Sequence, residues 1–314
     1  MSESRPTPQG IFSWPEICDL LPDQKLIFGY LWFNRFTNSV GCYRLPIPMV
    51  AEELSIKASS IIDCIGELSN RLLVDYDKNT GEIFIRQWFN FHAFHKQLAL
   101  NCRERDIKRI KSERLKQLVI AASSETPVLE KWRPVPCNLL SRIDVMNLLP
   151  DQKLILLYLW LCIFTNSCGV YWIPIHMAAA ELSLKETALL NALHEFVARG
   201  LIQYDEESSE VLVERWFSFH RFNSDSSKNI CRDDAEKIQS KRLKSMTMQK
   251  INKLLSNSNQ QQQKIKEYKK SAQKMATRRD KRVDLAFDEI EGIKDQIQNL
   301  LTPVKDGQNQ NQNR

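Results

Sequence analysis

Hydrophobic residues in the first part of the chain repeat at helical spacing, beginning with the segment ICDLLPDQKLIFGYLWFNRF. Leu26, Tyr30 and Phe33 fall on one face of the predicted helix, and Pro22 suits its first turn, where the missing N–H costs nothing. The segment 41–46 that follows is too short for a helix and predicts a brief strand.

Two further helices and a hairpin are predicted next. IPMVAEEL predicts a short helix, SIK a turn, and ASSIIDCIGELSNRLL a second helix with Ile61, Ile65 and Leu68 on one face. The runs LLVDYD and EIFIRQW predict two strands joined by KNTG, in which Gly81 supplies the turn. The predicted order is helix, strand, helix, turn, helix and hairpin.

The whole pattern occurs twice, because the chain contains a tandem repeat with an offset of 128 residues. Between Leu20 and Lys57, 25 of the 38 positions carry the residue that is found 128 positions later. The register continues without a gap, so that Trp88 in WFNFH corresponds to Trp216 in WFSFH. A domain has therefore been duplicated, and the segment AASSETPVLEKWRPVP between the copies predicts a linker.

The chain after the second copy has a different character. Residues 241–282 contain 14 Lys or Arg and 2 acidic residues, a charge of +12, and they include the low-complexity run NSNQQQQ. Residues 283–301 carry an apolar stripe at spacings of three and four, which predicts an amphipathic or coiled-coil helix. The last residues, 302–314, are polar and are expected to be disordered.

Composition excludes several classes of protein. The 314 residues are 43% hydrophobic and 26% charged with a net charge of +6, which is ordinary for a globular protein. No run approaches the roughly 18 apolar residues of a membrane helix, and the first residues lack the apolar core of a secretory signal. The prediction is a cytoplasmic protein that does not bind membranes. The 9 glycines form no GxGxxG or GxxxxGK[ST] motif, which argues against a nucleotide-binding enzyme.

Catalytic and metal-binding motifs are also missing from the sequence. The eight cysteines are scattered without a CxxC and the five histidines without an HExxH, so buried, reduced thiols are favoured and no metal or other cofactor is predicted. Asp23 and Asp151 each follow a proline and favour helix caps, so no enzyme is predicted. Aromatic residues after each hairpin favour the core over base stacking: Trp88, Phe89, Phe91, Phe94, Trp216, Phe217, Phe219 and Phe222.

Two helices joined by a tight turn and followed by a hairpin are typical of a winged helix-turn-helix, whose last helix enters the major groove of DNA. The segments GCYRLPIPMVAEEL, SIKASSIIDCIGEL, RLLVDYDKNTGEIFI and RQWFNFH resemble the N-terminal winged-helix domains of phage and plasmid replication proteins. Replisome organisers and DnaD-like primosome proteins are the nearest group. The resemblance covers about residues 14–95 and 142–223 and implies DNA binding in replication. The chain departs from the group in its tandem arrangement and in having a basic tail instead of a DnaD-type C-terminal domain.

The predicted fold is mainly α with small β-hairpins, an α+β class with two tandem winged helix-turn-helix domains and a basic helical tail. The expected segments in chain order are copy 1 at 1–120, a linker at 121–140, copy 2 at 141–246, a basic low-complexity and helical segment at 247–282, the amphipathic helix at 283–301 and the disordered tail at 302–314.

Candidate DNA-binding residues are the cations, amides and hydroxyls around the last helix of each copy and at the tip of its hairpin. In copy 1 they are Lys57, Ser59, Ser60, Arg71, Lys78 and Asn79. In copy 2 they are Lys185, Thr187, Asn191 and Arg199. The hairpin tip of copy 2 carries Glu206 and Glu207, which would repel phosphate. DNA contact is therefore expected more of copy 1, and protein contact or self-association stays open for copy 2.

Basic stretches after each hairpin supply further candidates, although a solvated helix face would explain them equally well. They are Arg105, Lys108 and Arg109 in copy 1, and Lys241, Arg242 and Lys244 in copy 2. The tail adds Lys264, Lys266, Lys269, Lys270, Arg278, Arg279, Lys281 and Arg282. Its charge favours phosphate binding that is blind to sequence, and it lacks the strong apolar face that an anionic membrane surface would require.

The sequence thus predicts a sequence-specific DNA-binding protein of a phage, plasmid or other mobile element, acting on double-stranded DNA in replication initiation. The two copies would bind two related half-elements, arranged head-to-tail or flexibly. Helix 283–301 would join protomers into a homo-oligomer or recruit a replication or transcription protein. A transcriptional regulator is one alternative. The other is a protein–protein adaptor whose tail binds nucleic acid non-specifically.

Overall fold

The structure is a computed structural model that describes residues 4–92, 97–124, 131–220 and 224–276, except for the side chains of 257–266 and 269–276. The chain is mainly helical with small antiparallel sheets, which agrees with the predicted α+β class. Both copies of the repeat lie within one compact unit that ends at Met248.

Copy 1 begins with a strand and a short 3-10 turn and continues with the predicted helices and hairpin. Its elements are β1 Ser4–Pro8, the turn Ile11–Ser13, α1 Pro22–Phe33, β2 Cys42–Arg44, α2 Ile47–Leu54, α3 Ala58–Asn70, β3 Val74–Asp77, β4 Glu82–Ile85, α4 Trp88–Phe91, α5 Gln97–Arg109 and α6 Glu113–Ala122.

Copy 2 repeats this order 128 residues later, with a short α-helix in place of the 3-10 turn. Its elements are β5 Trp132–Pro136, α7 Ile143–Met146, α8 Pro150–Leu161, β6 Val170–Trp172, α9 Ile175–Leu182, α10 Glu186–Ala198, β7 Ile202–Asp205, β8 Glu210–Val213, α11 Trp216–Phe219, α12 Asp225–Glu236 and α13 Lys241–Ala276. The last helix passes through residue 246, where the second domain was expected to end, and is described as far as Ala276.

Each copy contains one three-stranded antiparallel sheet in which the second strand of the hairpin is central. The order is β2-β4-β3 in copy 1 and β6-β8-β7 in copy 2. The hairpins have identical registers, since Asp77 pairs with Glu82 and Asp205 pairs with Glu210. The short strand predicted at 41–46 is therefore the third strand of a sheet that also contains the hairpin.

The aromatic residues after each hairpin belong mainly to the core, as predicted. Trp88 is fully buried, and its indole N–H donates to the Ser39 carbonyl at 2.9 Å. Gly41 must be glycine here, because a Cβ on its left-handed backbone would lie 2.4 Å from the Trp88 ring. Phe89, Phe91 and Trp216 are buried as well, Phe217 and Phe219 are partly buried, and Phe94 and Phe222 lie outside the described residues.

Buried carboxylates fasten the basic helices to the sheets. The Glu82 carboxylate on β4 accepts hydrogen bonds from the backbone N–H groups of Lys111 at 3.0 Å and Ser112 at 2.8 Å, just before α6. Glu210 on β8 accepts the equivalent bonds from Gln239 and Ser240. The first turns of α6 and α13 are thereby held beside the hairpins.

Part of the segment predicted as a linker forms regular structure. Strand β5 lies within 121–140 and pairs antiparallel with β1 from the beginning of the chain. The three prolines of this region suggested a linker, but a two-stranded ribbon tolerates proline because each strand has an unpaired edge. The residues between α6 and β5 that the structure describes are few, and 125–130 lie outside its description.

The β1–β5 pairing also reveals how the two copies are related. Pro6 pairs with Pro134, its own counterpart 128 residues later, while Ser4 pairs with Pro136 and Pro8 with Trp132. Exchanging the copies therefore reproduces the same pairs. Such self-complementary pairing is the signature of a twofold rotation, as in an isologous dimer interface. The copies are therefore related by a pseudo-twofold axis, whereas the linker had left their relative orientation open.

Helices α1 and α8 cross close to this axis. A Cβ placed on Gly29 of α1 would lie 2.8 Å from Cδ2 of Leu157, which is the counterpart of Gly29 in copy 2. A small residue on one helix thus receives a large one from the other. Asp23 and its counterpart Asp151 are also near each other. Burial and, to a smaller extent, repulsion by the Asp151 carboxylate raise the pKa of Asp23.

Two fully buried lysines make reciprocal contacts across the interface. Lys25 Nζ donates to the Glu181 carbonyl at 2.7 Å and to Ser183 Oγ at 2.8 Å. Lys153 Nζ donates to the Glu53 carbonyl at 2.8 Å and to Ser55 Oγ at 2.9 Å. Because buried ammonium groups need hydrogen-bond partners, each lysine ties the first long helix of its own copy to the other copy.

Candidate nucleic-acid interface

The candidate site of copy 1 is built on α2, the turn that follows it, and α3. Ser55 ends α2 in the left-handed conformation, and the chain turns through Ile56 before α3 begins. Ile61, Ile65 and Leu68 of α3 are buried, whereas the opposite face of this helix is exposed. This face is where a DNA-recognition helix would present its side chains.

Three predicted contact residues lie on or beside this face. Lys57 and Ser59 are exposed at the beginning of α3, and Ser60 is partly buried. Asp63 is exposed one turn further along the helix and balances the charge of Lys57. Ile62, nearly half exposed, lies on the same face, which is therefore mainly polar and nearly neutral. It would contribute more to the recognition of bases than to attraction of the phosphate backbone.

Arg71, predicted to contact DNA, is engaged in a network within copy 1. Its guanidinium forms ion pairs with Asp19 at 2.6 Å and with Glu67 at 2.7 Å, and it donates to the Glu16 carbonyl at 3.0 Å. The hydrogen bond from Arg71 holds the pKa of Asp19 below its ordinary value. A phosphate would have to compete with these acceptors.

Copy 2 presents a related face with different chemistry. Three predicted contact residues are exposed there: Lys185, directly before α10, and Thr187 and Asn191 on this helix. Arg199 forms an ion pair with Glu195 at 2.6 Å, which resembles the engagement of Arg71 in copy 1. The two helix faces are thus equivalent in position and unequal in side chains.

The hairpin tip differs even more between the copies. In copy 1, the Asp77 carboxylate accepts the Asn79 backbone N–H at 2.9 Å, while the side chains of Lys78 and Asn79 are exposed. Hydrogen bonds from Ser112 and from the Asn79 backbone hold the pKa of Asp77 below its ordinary value. In copy 2, the corresponding tip exposes Glu206 and Glu207. The tips therefore carry opposite charges.

The beginning of α6 adds a basic residue beside the hairpin of copy 1. Lys111 is exposed next to Ser112, whose backbone N–H is held by Glu82 of β4. Lys111 was not among the predicted contacts, because its position depends on this long-range hydrogen bond. Arg114 is likewise directed to β3, where it pairs with Asp75 at 3.0 Å.

Some of the remaining predicted cations in the two copies are exposed to solvent, and others form ion pairs or hydrogen bonds within their own copy. Lys108 and Lys241 are exposed, and Arg105 and Arg109 lie 3.6 Å and 4.0 Å from the buried Asp106 with most of their side chains in solvent. Arg242 donates to Gln203 and to the Tyr204 carbonyl, and Lys244 pairs with Glu236 at 2.7 Å. Arg242 and Lys244 therefore also stabilise copy 2.

Most predicted cations of the basic tail lie outside the described side chains. The backbone of α13 includes four predicted cations whose side chains are not described: Lys264, Lys266, Lys269 and Lys270. Arg278, Arg279, Lys281 and Arg282, the predicted helix 283–301 and the tail 302–314 lie outside the described residues. Phosphate binding by this region stays a prediction.

The described residues contain no group of three or more His, Cys, Asp or Glu side chains arranged to hold a metal ion. No helix in this part of the chain is long and apolar enough to span a membrane. Burial raises the pKa of the Cys42 and Cys64 thiols to about 12, so both are protonated and unreactive at neutral pH. His92 stacks on Trp88 with ring centroids 3.7 Å apart, and its burial lowers its pKa to about 4.

Comparison with known proteins found no matching family model, no matching curated protein and no matching solved structure.

Proposed function

We propose that the chain is a sequence-specific DNA-binding protein with two winged helix-turn-helix domains, acting on double-stranded DNA in replication initiation for a phage, plasmid or other mobile element. The observation that carries the proposal is the repeated unit of two helices, a turn and a hairpin. In each copy the last of these helices has one buried face and one uncovered face that is mainly polar. The protein would act in the cytoplasm.

Charge at the uncovered faces supports a division of labour between the copies. In copy 1, Lys57 at the start of α3 and Lys78 at the hairpin tip are both exposed, and Lys111 lies beside the hairpin. These cations would meet phosphates on either side of a groove that receives α3. Copy 2 would contribute α10 with less help from its acidic hairpin.

The basic tail would add affinity that does not depend on sequence. Its +12 charge over residues 241–282 favours contact with phosphates through release of condensed counterions. Specificity would come from the helix faces, and the salt dependence of binding would come largely from the tail. The predicted helix 283–301 would join protomers or bind a replication or transcription protein.

The experiment that tests the proposal selects binding sites from random-sequence duplex DNA with the full-length chain. We expect an enriched motif whose affinity falls at least tenfold in Lys57→Glu and in Lys78→Glu, because each substitution places a carboxylate beside phosphate. Lys131→Glu is the matched control, since Lys131 is exposed, the substitution changes the charge by the same amount, and the residue directly precedes β5 and belongs to neither candidate helix nor hairpin. Binding without an enriched motif would contradict the proposal.

A protein–protein adaptor is the second candidate, and one observation favours it. The exposed Glu206 and Glu207 and the ion-paired Arg199 leave copy 2 with little positive charge at its candidate face. An adaptor would tolerate Lys57→Glu and Lys78→Glu, with only salt-sensitive binding through the tail. A transcriptional regulator would give the same binding results as a replication protein, and the position of the selected motif at a promoter or at an origin would distinguish them.

A further inference from the structure

The pseudo-twofold axis determines how the two candidate recognition helices are oriented relative to each other. Several contacts across the interface are reciprocal or pair a residue with its own counterpart, as Pro6 does with Pro134 and Gly29 with Leu157. The symmetry is approximate, since Ser13 donates to Glu181 at 2.7 Å while its counterpart Ser141 donates to the Asn138 carbonyl. A rotation that exchanges the copies also exchanges α3 with α10. The two helices are therefore presented in inverted orientations, like those of a symmetric dimer.

The same interface fixes the position of each recognition helix. Lys153 of copy 2 donates to the Glu53 carbonyl and to Ser55 Oγ, which lie at the end of α2, only two residues before Lys57. Lys25 makes the equivalent contacts at the end of α9, before Lys185. Each turn that leads into a recognition helix is thus held by the opposite copy, so the helices cannot be repositioned independently.

The side chains presented by the two helices are not the same. Exposed Asp63 and Gly66 of α3 correspond to exposed Asn191 and His194 of α10. Carboxylate, amide and imidazole groups have different hydrogen-bonding capacities, and base edges are distinguished by their donors and acceptors. The two helices should therefore prefer different bases at equivalent positions.

We propose that the DNA target consists of two similar but unequal half-elements in inverted orientation at one fixed spacing. A single chain would bind both, with its two copies in place of the two subunits of a dimer. This inference rests on the proposed function and specifies its substrate. Dimeric helix-turn-helix proteins bind half-sites with the symmetry of the protein, and here a covalent duplication supplies the same symmetry with freedom for each half to diverge.

The first experiment changes the geometry of the selected motif. The full-length chain is tested on duplexes in which one half-element is reversed into a direct repeat, or in which about five base pairs, half of a DNA turn, are inserted between the halves. We expect each change to weaken binding at least tenfold, because one helix loses its base contacts. A duplex with an insertion of about ten base pairs tests whether the spacing itself is fixed.

The second experiment makes the two helices alike. Eight substitutions give α3 the exposed and partly exposed residues of α10: Ala58→Glu, Ser59→Thr, Ser60→Ala, Ile62→Leu, Asp63→Asn, Gly66→His, Ser69→Val and Asn70→Ala. They should not disturb folding, because these side chains lie at or near the surface and a Cβ on Gly66 meets no atom within 4 Å. Selection with this variant should return an inverted repeat whose halves are identical.

The outcomes separate this inference from the proposed function. An enriched motif with direct repeats, a single half-element or a freely variable spacing would overturn the inverted arrangement while leaving DNA recognition in place. The absence of any enriched motif would overturn both. Identical halves in the natural target would refute the assignment of different preferences to α3 and α10.

Discussion

The contact between Gly29 and Leu157 offers a quantitative test of the interface between the copies. The two residues occupy equivalent positions on α1 and α8, and only their difference in size lets the helices approach as closely as they do. Gly29→Leu would place a large side chain where a Cβ alone already comes within 2.8 Å of Leu157 and 3.1 Å of Phe12.

The expected free-energy changes follow from the packing. Overpacking by Gly29→Leu should cost about 1–3 kcal/mol, partly offset by about 1 kcal/mol from the higher helix propensity of leucine. Leu157 is fully buried, so Leu157→Ala should cost about 2–5 kcal/mol through lost burial and a cavity. The double variant exchanges large for small, so that the new leucine can occupy the cavity. Its loss should be smaller than the sum of the single losses by about 1–3 kcal/mol.

Urea denaturation followed by circular dichroism gives the free energies of unfolding for this double-mutant cycle. Gly66→Leu is the matched control for the glycine substitution, because Gly66 is also in a helix but has open space around it. Combined with Leu157→Ala, it should give additive losses. Additivity within about 0.5 kcal/mol for the Gly29 and Leu157 pair as well would refute the packing of α1 against α8.

Three further predictions concern titration and salt. Burial lowers the pKa of Lys153 from 10.5 to about 8, so the unfolded chain binds more protons than the folded chain between these pH values. In urea titrations, the stability of the wild type relative to Lys153→Met should therefore rise by about 1 kcal/mol from pH 8 to pH 9. A difference in stability that does not depend on pH would contradict the buried ammonium. Burial also lowers the pKa of His92 from 6.5 to about 4, so stability should fall as the pH drops through this range. His92→Phe should flatten the dependence of the melting temperature on pH, whereas equal pH dependence in the variant and the wild type would contradict a buried, neutral His92. The salt slope of DNA binding, log K against log [salt], should decrease by up to about 4 when four tail lysines are replaced by glutamine, and an unchanged slope would exclude their contact with phosphate. These lysines are Lys264, Lys266, Lys269 and Lys270.

The local elements were predictable because their signals are local. Helical spacing in α1 and α3, the proline at the start of α1 and the turn at Gly81 depend only on neighbouring residues. All are found in the structure, although α1 spans only Pro22–Phe33 and is shorter at both ends than the predicted apolar segment. The repeat predicted the second copy in the same detail. Fold class and element order therefore followed from the sequence.

The arrangement of the copies was not predictable in the same way. Pairing of β1 with β5 joins segments about 130 residues apart, and both strands are rich in proline, which is unfavourable in most sheets. One signal was present, since α1 and α8 contain no polar residue after their first turn, and a helix that is apolar all round is usually buried on all sides. The lysines within these apolar helices were the residues that cross the interface.

Part of the candidate site was predictable from local signals, and the rest depends on long-range contacts. Residue type and position identified the exposed Lys57, Ser59 and Lys78, because each lies next to a predicted turn. The partners of Arg71 could not be foreseen, since Asp19 lies 52 residues earlier in the chain. Nor could the position of Lys111, which depends on a buried carboxylate in the hairpin.

The most direct test of the account is a hydroxyl-radical footprint of the full-length chain on its selected DNA. We expect two protected segments related by a dyad, with Lys57→Glu removing protection from one half and Lys185→Glu from the other, because these residues begin the two equivalent helices. Lys131→Glu should leave both segments intact. A footprint that neither Lys57→Glu nor Lys185→Glu alters, or the absence of discrete protection, would contradict DNA recognition by a pseudo-twofold pair of helices.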